Sequence, residues 1–136
     1  MSKNYDFTFA QREEGFDDHI EHSIRGYTNL LDDIVSLSRN FVEDETNVID
    51  IGCSTGKLTE AFVKSNQHFC KYANYIGIEL APSFFNELDA RHERMKNEYY
   101  WASVDFQKKD VRGYKFENCS LVTSIFTLQF MPRKDR

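Results

Sequence analysis

No run of this chain is apolar for long enough to cross a bilayer. Met1-Ser2-Lys3-Asn4-Tyr5-Asp6 leads into polar sequence, not into a secretory leader. Both absences make the cytoplasm the expected compartment. Cysteine is scarce and odd in number: Cys53, Cys70 and Cys119 stand at unrelated spacings, which excludes a disulfide framework and implies reduced thiols. His68-x-Cys70 has no second pair at zinc spacing, so no metal site is expected. His19, His22, His68 and His92 fall in expected helices or loops without a Ser or Asp partner, so a hydrolase triad is not read. Positive charge is also short: 17 Lys and Arg against 22 Asp and Glu give −5, which does not favour nucleic acid as a direct partner. No internal repeat or low-complexity segment is visible. What remains is 136 residues, rich in Phe and Tyr, enough for one domain with a core.

The most informative stretch is Val48-Ile49-Asp50-Ile51-Gly52-Cys53-Ser54-Thr55-Gly56, followed by the helix-compatible Lys57 to Lys64. A β-branched run, an acid and two glycines four apart read as strand, tight turn and helix start, the ligand corner of an open α/β sheet. Glycine suits such a corner because it accepts positive φ and lets a ligand approach the backbone. A dinucleotide fingerprint fails, since Ser54 occupies the second glycine position. A phosphate-binding loop fails twice, at Ile51 and Leu58. The spacing D-x-G-x-x-x-G instead resembles the first motif of class I S-adenosylmethionine (SAM) dependent methyltransferases. SAM has no phosphate to cradle. Its ammonium suits a carboxylate such as Asp50, directly or through water, while the loop amides can face the rest of the ligand.

The chain is expected to divide into an arm and helical cap over residues 1–45 and a Rossmann-like core over 46–136. Tyr5, Phe7 and Phe9 lie in the arm. Phe16, Ile20, Ile24, Tyr27, Leu31 and Ile34 recur at helical steps, with a break expected near Gly26. These are packing residues, with Tyr27 alone held back for a ligand role. After the glycine turn a helix should bury Leu58, Ala61 and Phe62. Asn66 to Asn74 reads as loop, then Tyr75 to Glu79 as a buried strand. Glu79 lies 23 residues after Gly56, about where an α/β nucleotide site places the acid that binds ribose hydroxyls. Pro82-Ser83 opens a helix with Phe84, Leu88 and Met95 inside, and with Arg91, Glu93, Arg94 and Lys96 as a solvated face without function. Strands are expected around Tyr100 to Phe106 and over Ser120 to Phe126, the last apolar enough to be central. Alternating strands and helices imply a parallel sheet with helices on both faces.

Four strings narrow the resemblance: Phe16-Asp17-Asp18-His19-Ile20, Ser23-Ile24-Arg25-Gly26-Tyr27-Thr28-Asn29, Asp50 to Gly56, and Phe126-Thr127-Leu128-Gln129-Phe130. In order and spacing they resemble the bacterial carboxy-SAM synthase family, from about residue 16 to the end of the chain. The resemblance implies a class I methyltransferase fold and conversion of SAM and prephenate into carboxy-SAM and phenylpyruvate. A separate enzyme uses that product on a tRNA wobble uridine. It implies that Tyr27 contacts the sulfonium-side carboxylate or the methionine part, and that Gly52, Cys53 and Ser54, in the motif closed by Gly56, wall the ligand. Glu79, where the family has Asp, would take the ribose, with Leu80 beside the adenine. Asp110 and Val111 would hold the adenine, and Asp50 would orient the methionine end from behind.

Several positions depart from the family. Ile125 replaces an asparagine near the sulfonium, Leu80 replaces another, and Arg25 replaces a proline. The family's carboxylate-binding arginine falls in about a hundred further residues beyond the matched part. An arginine fork is what separates a carboxymethyl sulfonium from a methyl one. The expected fold is therefore incomplete after its fourth strand, either as a shortened piece or with its apolar edge covered by an oligomer or a partner chain. Three readings stay open: a SAM-dependent transferase of this type, a non-catalytic SAM-binding or interaction module, and a nicotinamide oxidoreductase, which explains Glu79 but not Ser54.

Overall fold

A computed structural model describes Asp17 and residues 24–125, 127–128 and 131–136. The expected features at Tyr5, Phe7, Phe9, Phe16, His19, Ile20, His22, Phe126, Gln129 and Phe130 lie outside the described residues. Four parallel strands form one sheet in the order β3-β2-β1-β4: β1 (Asn47–Ile51), β2 (Asn74–Glu79), β3 (Ser103–Lys108) and β4 (Cys119–Ser124). The two inner strands are the ones that read as apolar runs around Val48 and Ile76. β4 is not central: it pairs only with β1 among the described residues, and Val122 is 42% exposed. Its apolar character serves one face of an edge strand. β3 starts three residues later than expected because Tyr99 to Ala102 turn back after the preceding helix, with the Ala102 amide donating to Tyr99 O at 2.9 Å.

The helices follow their local signals. Gly26, at φ 74°, precedes α1 (Tyr27–Ser38), so the expected break becomes a helix start. Gly56, at φ 81°, precedes α2 (Lys57–Asn66). Pro82 opens a short 3₁₀ turn that runs into α3 (Phe85–Glu98), a position where its missing N–H costs nothing. Phe84, Leu88 and Met95 are buried as expected, whereas α2 buries Leu58, Thr59, Phe62, Val63 and Asn66, with Ala61 only half-buried. Asn66 is buried because its side-chain amide donates to Ser38 Oγ of α1 at 3.0 Å and to Phe62 O at 2.9 Å.

Val48, Tyr75, Val104 and Leu121 share one register row and so one face of the sheet. With Leu31, Leu58, Phe62, Val63 and Met95 they form a single apolar cluster, so the three described α-helices stand on that face. Residues 109–118, which link β3 to β4, are irregular. Among the described residues no helix is long and apolar enough to cross a membrane.

Candidate ligand site at the glycine loop

Parallel pairing of β1 and β2 brings their C-terminal ends together, and the loop after β1 folds across the end of β2. The Gly52 and Cys53 amides both donate to Ile78 O, at 2.8 and 3.1 Å, and the Gly56 amide closes the turn on Cys53 O at 2.8 Å. Left-handed backbone at Gly52 (φ 68°), Ser54 (φ 53°) and Gly56 (φ 81°) makes this path possible. A Cβ on Gly52 would sit 2.3 Å from Thr127 Oγ1, so the first glycine is also required by close packing.

Glu79 bridges the two strand ends. One carboxylate oxygen accepts from the Ser54 amide at 2.8 Å, and the other accepts from the amides of Leu80 and Ala81 at 2.8 and 2.9 Å. Asp50 lies on the same corner, buried, and accepts from Thr123 Oγ1 at 2.8 Å. Burial pushes the Asp50 carboxyl up to about 7, with the Thr123 hydrogen bond opposing the rise and the charge of Glu79 adding to it. Burial, with the charges of Asp50 and Glu79, also pushes the Cys53 thiol up, which makes Cys53 an inert wall and not a nucleophile. Two buried acids whose hydrogen-bond partners are a hydroxyl and backbone amides give this corner an electronegative character.

The other expected residues are placed less tightly. Leu80 is 57% exposed beside Glu79, a free apolar face at the strand end. Val111 and Asp110 follow β3, two strands from β1, and the Asp110 carboxylate is held by Arg112 through its Nε at 2.8 Å and its backbone amide at 2.9 Å. Hydrogen bonds from Arg112 hold this carboxyl below the usual range. Arg112 also reaches Asp135 at 3.2 Å. Tyr27 begins α1 and, like Ile125 just beyond β4, packs partly against the apolar cluster.

Some contributors escaped sequence reasoning. Arg91, read as part of a solvated face, instead turns inward, its Nε donating to Thr55 O at 2.7 Å. A position on α3 between inner residues Leu88 and Met95 was the available signal. Thr123 under Asp50 and Thr127 against Gly52 had none, because both contacts cross more than seventy residues. His92 gains a partner too: its Nε2 lies 3.2 Å from Val104 O and its ring meets Phe106 edge-on, a packing role. Among the described residues no group of three or more His, Cys, Asp or Glu converges as a metal site would need.

The family described as "Methyltransferase domain" matches residues 48–136, which span β1, the glycine loop and everything after it. The chain belongs to that family. Over 138 residues this methyltransferase-family chain is 32% identical to the carboxy-S-adenosyl-L-methionine synthase of Vibrio campbellii, covering all of this chain and 54% of that protein. The corresponding synthase of Mannheimia succiniciproducens is 35% identical over 143 residues, with 100% and 55% covered. The chain thus spans about half the length of the curated relatives it matches. Among solved structures, a Methanococcus maripaludis chain described as an S-adenosyl-L-methionine-dependent methyltransferase superposes with a TM-score of 0.65 at 15% identity, covering 98% of this chain and 57% of that one. SAM-bound CalS10, an amino pentose methyltransferase from Micromonospora echinaspora, superposes at 0.52 and 17% identity, with 88% and 45% covered. These two likenesses concern the fold, a class I methyltransferase frame.

Proposed function

We propose that the glycine-loop corner binds SAM or carboxy-SAM, as part of a transferase of the carboxy-SAM synthase type acting in tRNA wobble-uridine modification in the cytoplasm. The observation that carries this reading is the pair of buried acids at the loop, Asp50 and Glu79, whose hydrogen-bond partners are neutral. Such a corner repels a pyrophosphate and complements a cationic ligand. When bound, SAM supplies a sulfonium-activated carbon together with an ammonium.

The residues present fit that ligand. A carboxylate has about four acceptor positions, and three amides occupy three on Glu79, which leaves one on Oε1 for a ribose hydroxyl. Leu80 offers its exposed side chain to the adenine, next to Val111, and Asp110 accepts from the exocyclic amine once it shares or releases Arg112. Gly52, Cys53, Ser54 and Gly56 form the wall, Asp50 faces the methionine ammonium, and Tyr27 and Ile125 border the reacting end. These residues bind and orient; no protein nucleophile is invoked. Apolar Ile125 offers no hydrogen bond to a carboxymethyl group, so plain SAM is the better match among the two ligands.

A second reading, a SAM-binding interaction module, is favoured by β4, which among the described residues pairs only with β1 and offers its other side to a second copy or a partner chain. Native mass spectrometry of the chain as purified tests both. A bound mass equal to SAM or its demethylated product supports the site, and a mass heavier by one carboxyl in place of hydrogen supports the carboxy-SAM form. Glu79→Ala should then weaken ligand binding by about 1–3 kcal/mol in calorimetry. Unchanged affinity would remove Glu79 from the site, and turnover of prephenate would separate enzyme from module.

A further inference from the structure

The ligand-facing side of the loop is held by Glu79, and its rear is held by a different set of residues. Thr55 is 1% exposed. Its carbonyl accepts from Arg91 Nε at 2.7 Å, and its hydroxyl donates to both oxygens of Asp17, at 3.0 and 3.1 Å. Arg91 Nη1 donates to Glu60 Oε1 at 2.6 Å, in the first turn of α2, and Nη2 lies 3.5 Å from Asp17 Oδ2. The Arg91 side chain is only 19% exposed. One turn earlier on α3, Leu88 Cδ1 comes within 3.0 Å of where a Cβ on Gly56 would stand.

These contacts act on one peptide plane. The Thr55–Gly56 peptide is fixed at its carbonyl by Arg91 and at its amide by Cys53 O. The Cys53–Ser54 peptide, two peptides back and joined to it by the Gly56 amide on Cys53 O, carries the amide that meets Glu79. With Ser54, a residue with a Cβ, at positive φ, the loop stores local strain that surrounding contacts must hold in place. Removing the Arg91 contact frees the plane to rotate, and that rotation carries Ser54 with it. Asp17 and Glu60 neutralise the guanidinium, so it brings no net positive charge toward a cationic ligand. We propose that Arg91 is a positioning residue for the ligand loop, with Asp17 and Thr55 completing its hold, an inference that rests on the ligand reading above. Its three nitrogens serve three separate chain segments, a geometry that the single point charge of lysine does not reproduce.

The test uses the full chain as Arg91→Met, Arg91→Lys and Thr55→Val, with Glu98→Gln on the exposed end of α3 as the control. Two quantities are read: SAM affinity by calorimetry, and amide exchange by NMR at Ser54 and Gly56 against Ala102 in the ligand-free protein. Arg91→Met should weaken SAM about tenfold, the scale of losing a charge-assisted hydrogen bond, and Arg91→Lys should not restore it. Thr55→Val should fall between, and Glu98→Gln should match the wild type. Exchange at Ser54 and Gly56 should quicken while Ala102 keeps its protection. Wild-type affinity and wild-type loop exchange in folded variants would overturn the proposal. So would equal loss of protection at Ala102, which would mark a general stabilising role. If the wild type binds no SAM, the ligand reading falls, and loop exchange alone still decides whether Arg91 positions the loop. Should Arg91→Met not fold, Arg91→Lys and Thr55→Val carry both measurements.

Discussion

Asp50 is held between burial, which favours its neutral form, and the Thr123 hydroxyl, which favours the anion; burial wins and its pKa reaches about 7 against 3.8 for an ordinary aspartate. The groups that face it are Thr123, the Glu79 carboxylate and the Cys53 thiol. A carboxyl whose folded pKa is raised keeps a proton that the unfolded chain releases, so it makes stability fall as pH rises from about 4 to about 7. Below that window it contributes nothing, and above it the full penalty, roughly 4 kcal/mol at most, is present. Asp50→Asn removes the charge and keeps the shape. In urea titrations it should be more stable than the wild type at pH 8, and the difference should shrink towards pH 4. A gap that stays constant with pH would sink this account. SAM binding should move the opposite way and weaken, since the variant no longer offers an anion to an ammonium. Such opposition between stability and binding is what a strained functional residue shows.

At the scale of the element, the strand-turn-helix unit from β1 to α2 was legible because its signals are local: a β-branched run, glycines at fixed offsets and a helical period after them. The reason Gly52 tolerates no side chain was not legible, since Thr127 arrives from beyond β4. Gly52→Ala meets both a positive φ and a contact of 2.3 Å, and should lower stability by about 2 kcal/mol or more in denaturant titration. Adding Thr127→Ala should recover only part of the steric loss, because the Thr127 Cβ would itself stand 2.9 Å away, and should leave the backbone part. Equal midpoints for Gly52→Ala and the wild type would show that the loop relaxes freely. α3 carries the same lesson in reverse. Its inner face, Leu88 and Met95, followed from period, while the inward turn of Arg91 required Thr55, Glu60 and Asp17 to be brought to it.

For the molecule as a whole, the two outer strands differ in how they are protected. β3 carries Asp105 and Lys108, the charges that commonly discourage edge-to-edge pairing, whereas β4, Cys119–Ser124, carries none. Among the described residues β4 has only β1 as a neighbour, and Val122 adds exposed apolar surface. Light scattering across a concentration series should therefore show association of this chain, and Val122→Lys should reduce it. A wild-type chain that stays sharply monomeric at every concentration would count against a partner at this edge.

Taken by itself, the sequence determined the β1 corner, the second acid at Glu79 and the parallel α/β class, together with a family resemblance that the methyltransferase match and the curated relatives support. Those features depend on turn chemistry and periodicity, which neighbouring residues specify. Only the tertiary structure decided that Glu79 caps the Ser54 amide, that Thr123 lies under Asp50, that Arg91 meets the Thr55 carbonyl and that β4 has only β1 as a neighbour among the described residues. Each of these joins segments at least twenty-five residues apart. Which of many possible partners meets across such a separation is set by strand order and helix packing, and neither is written in any one stretch of the chain.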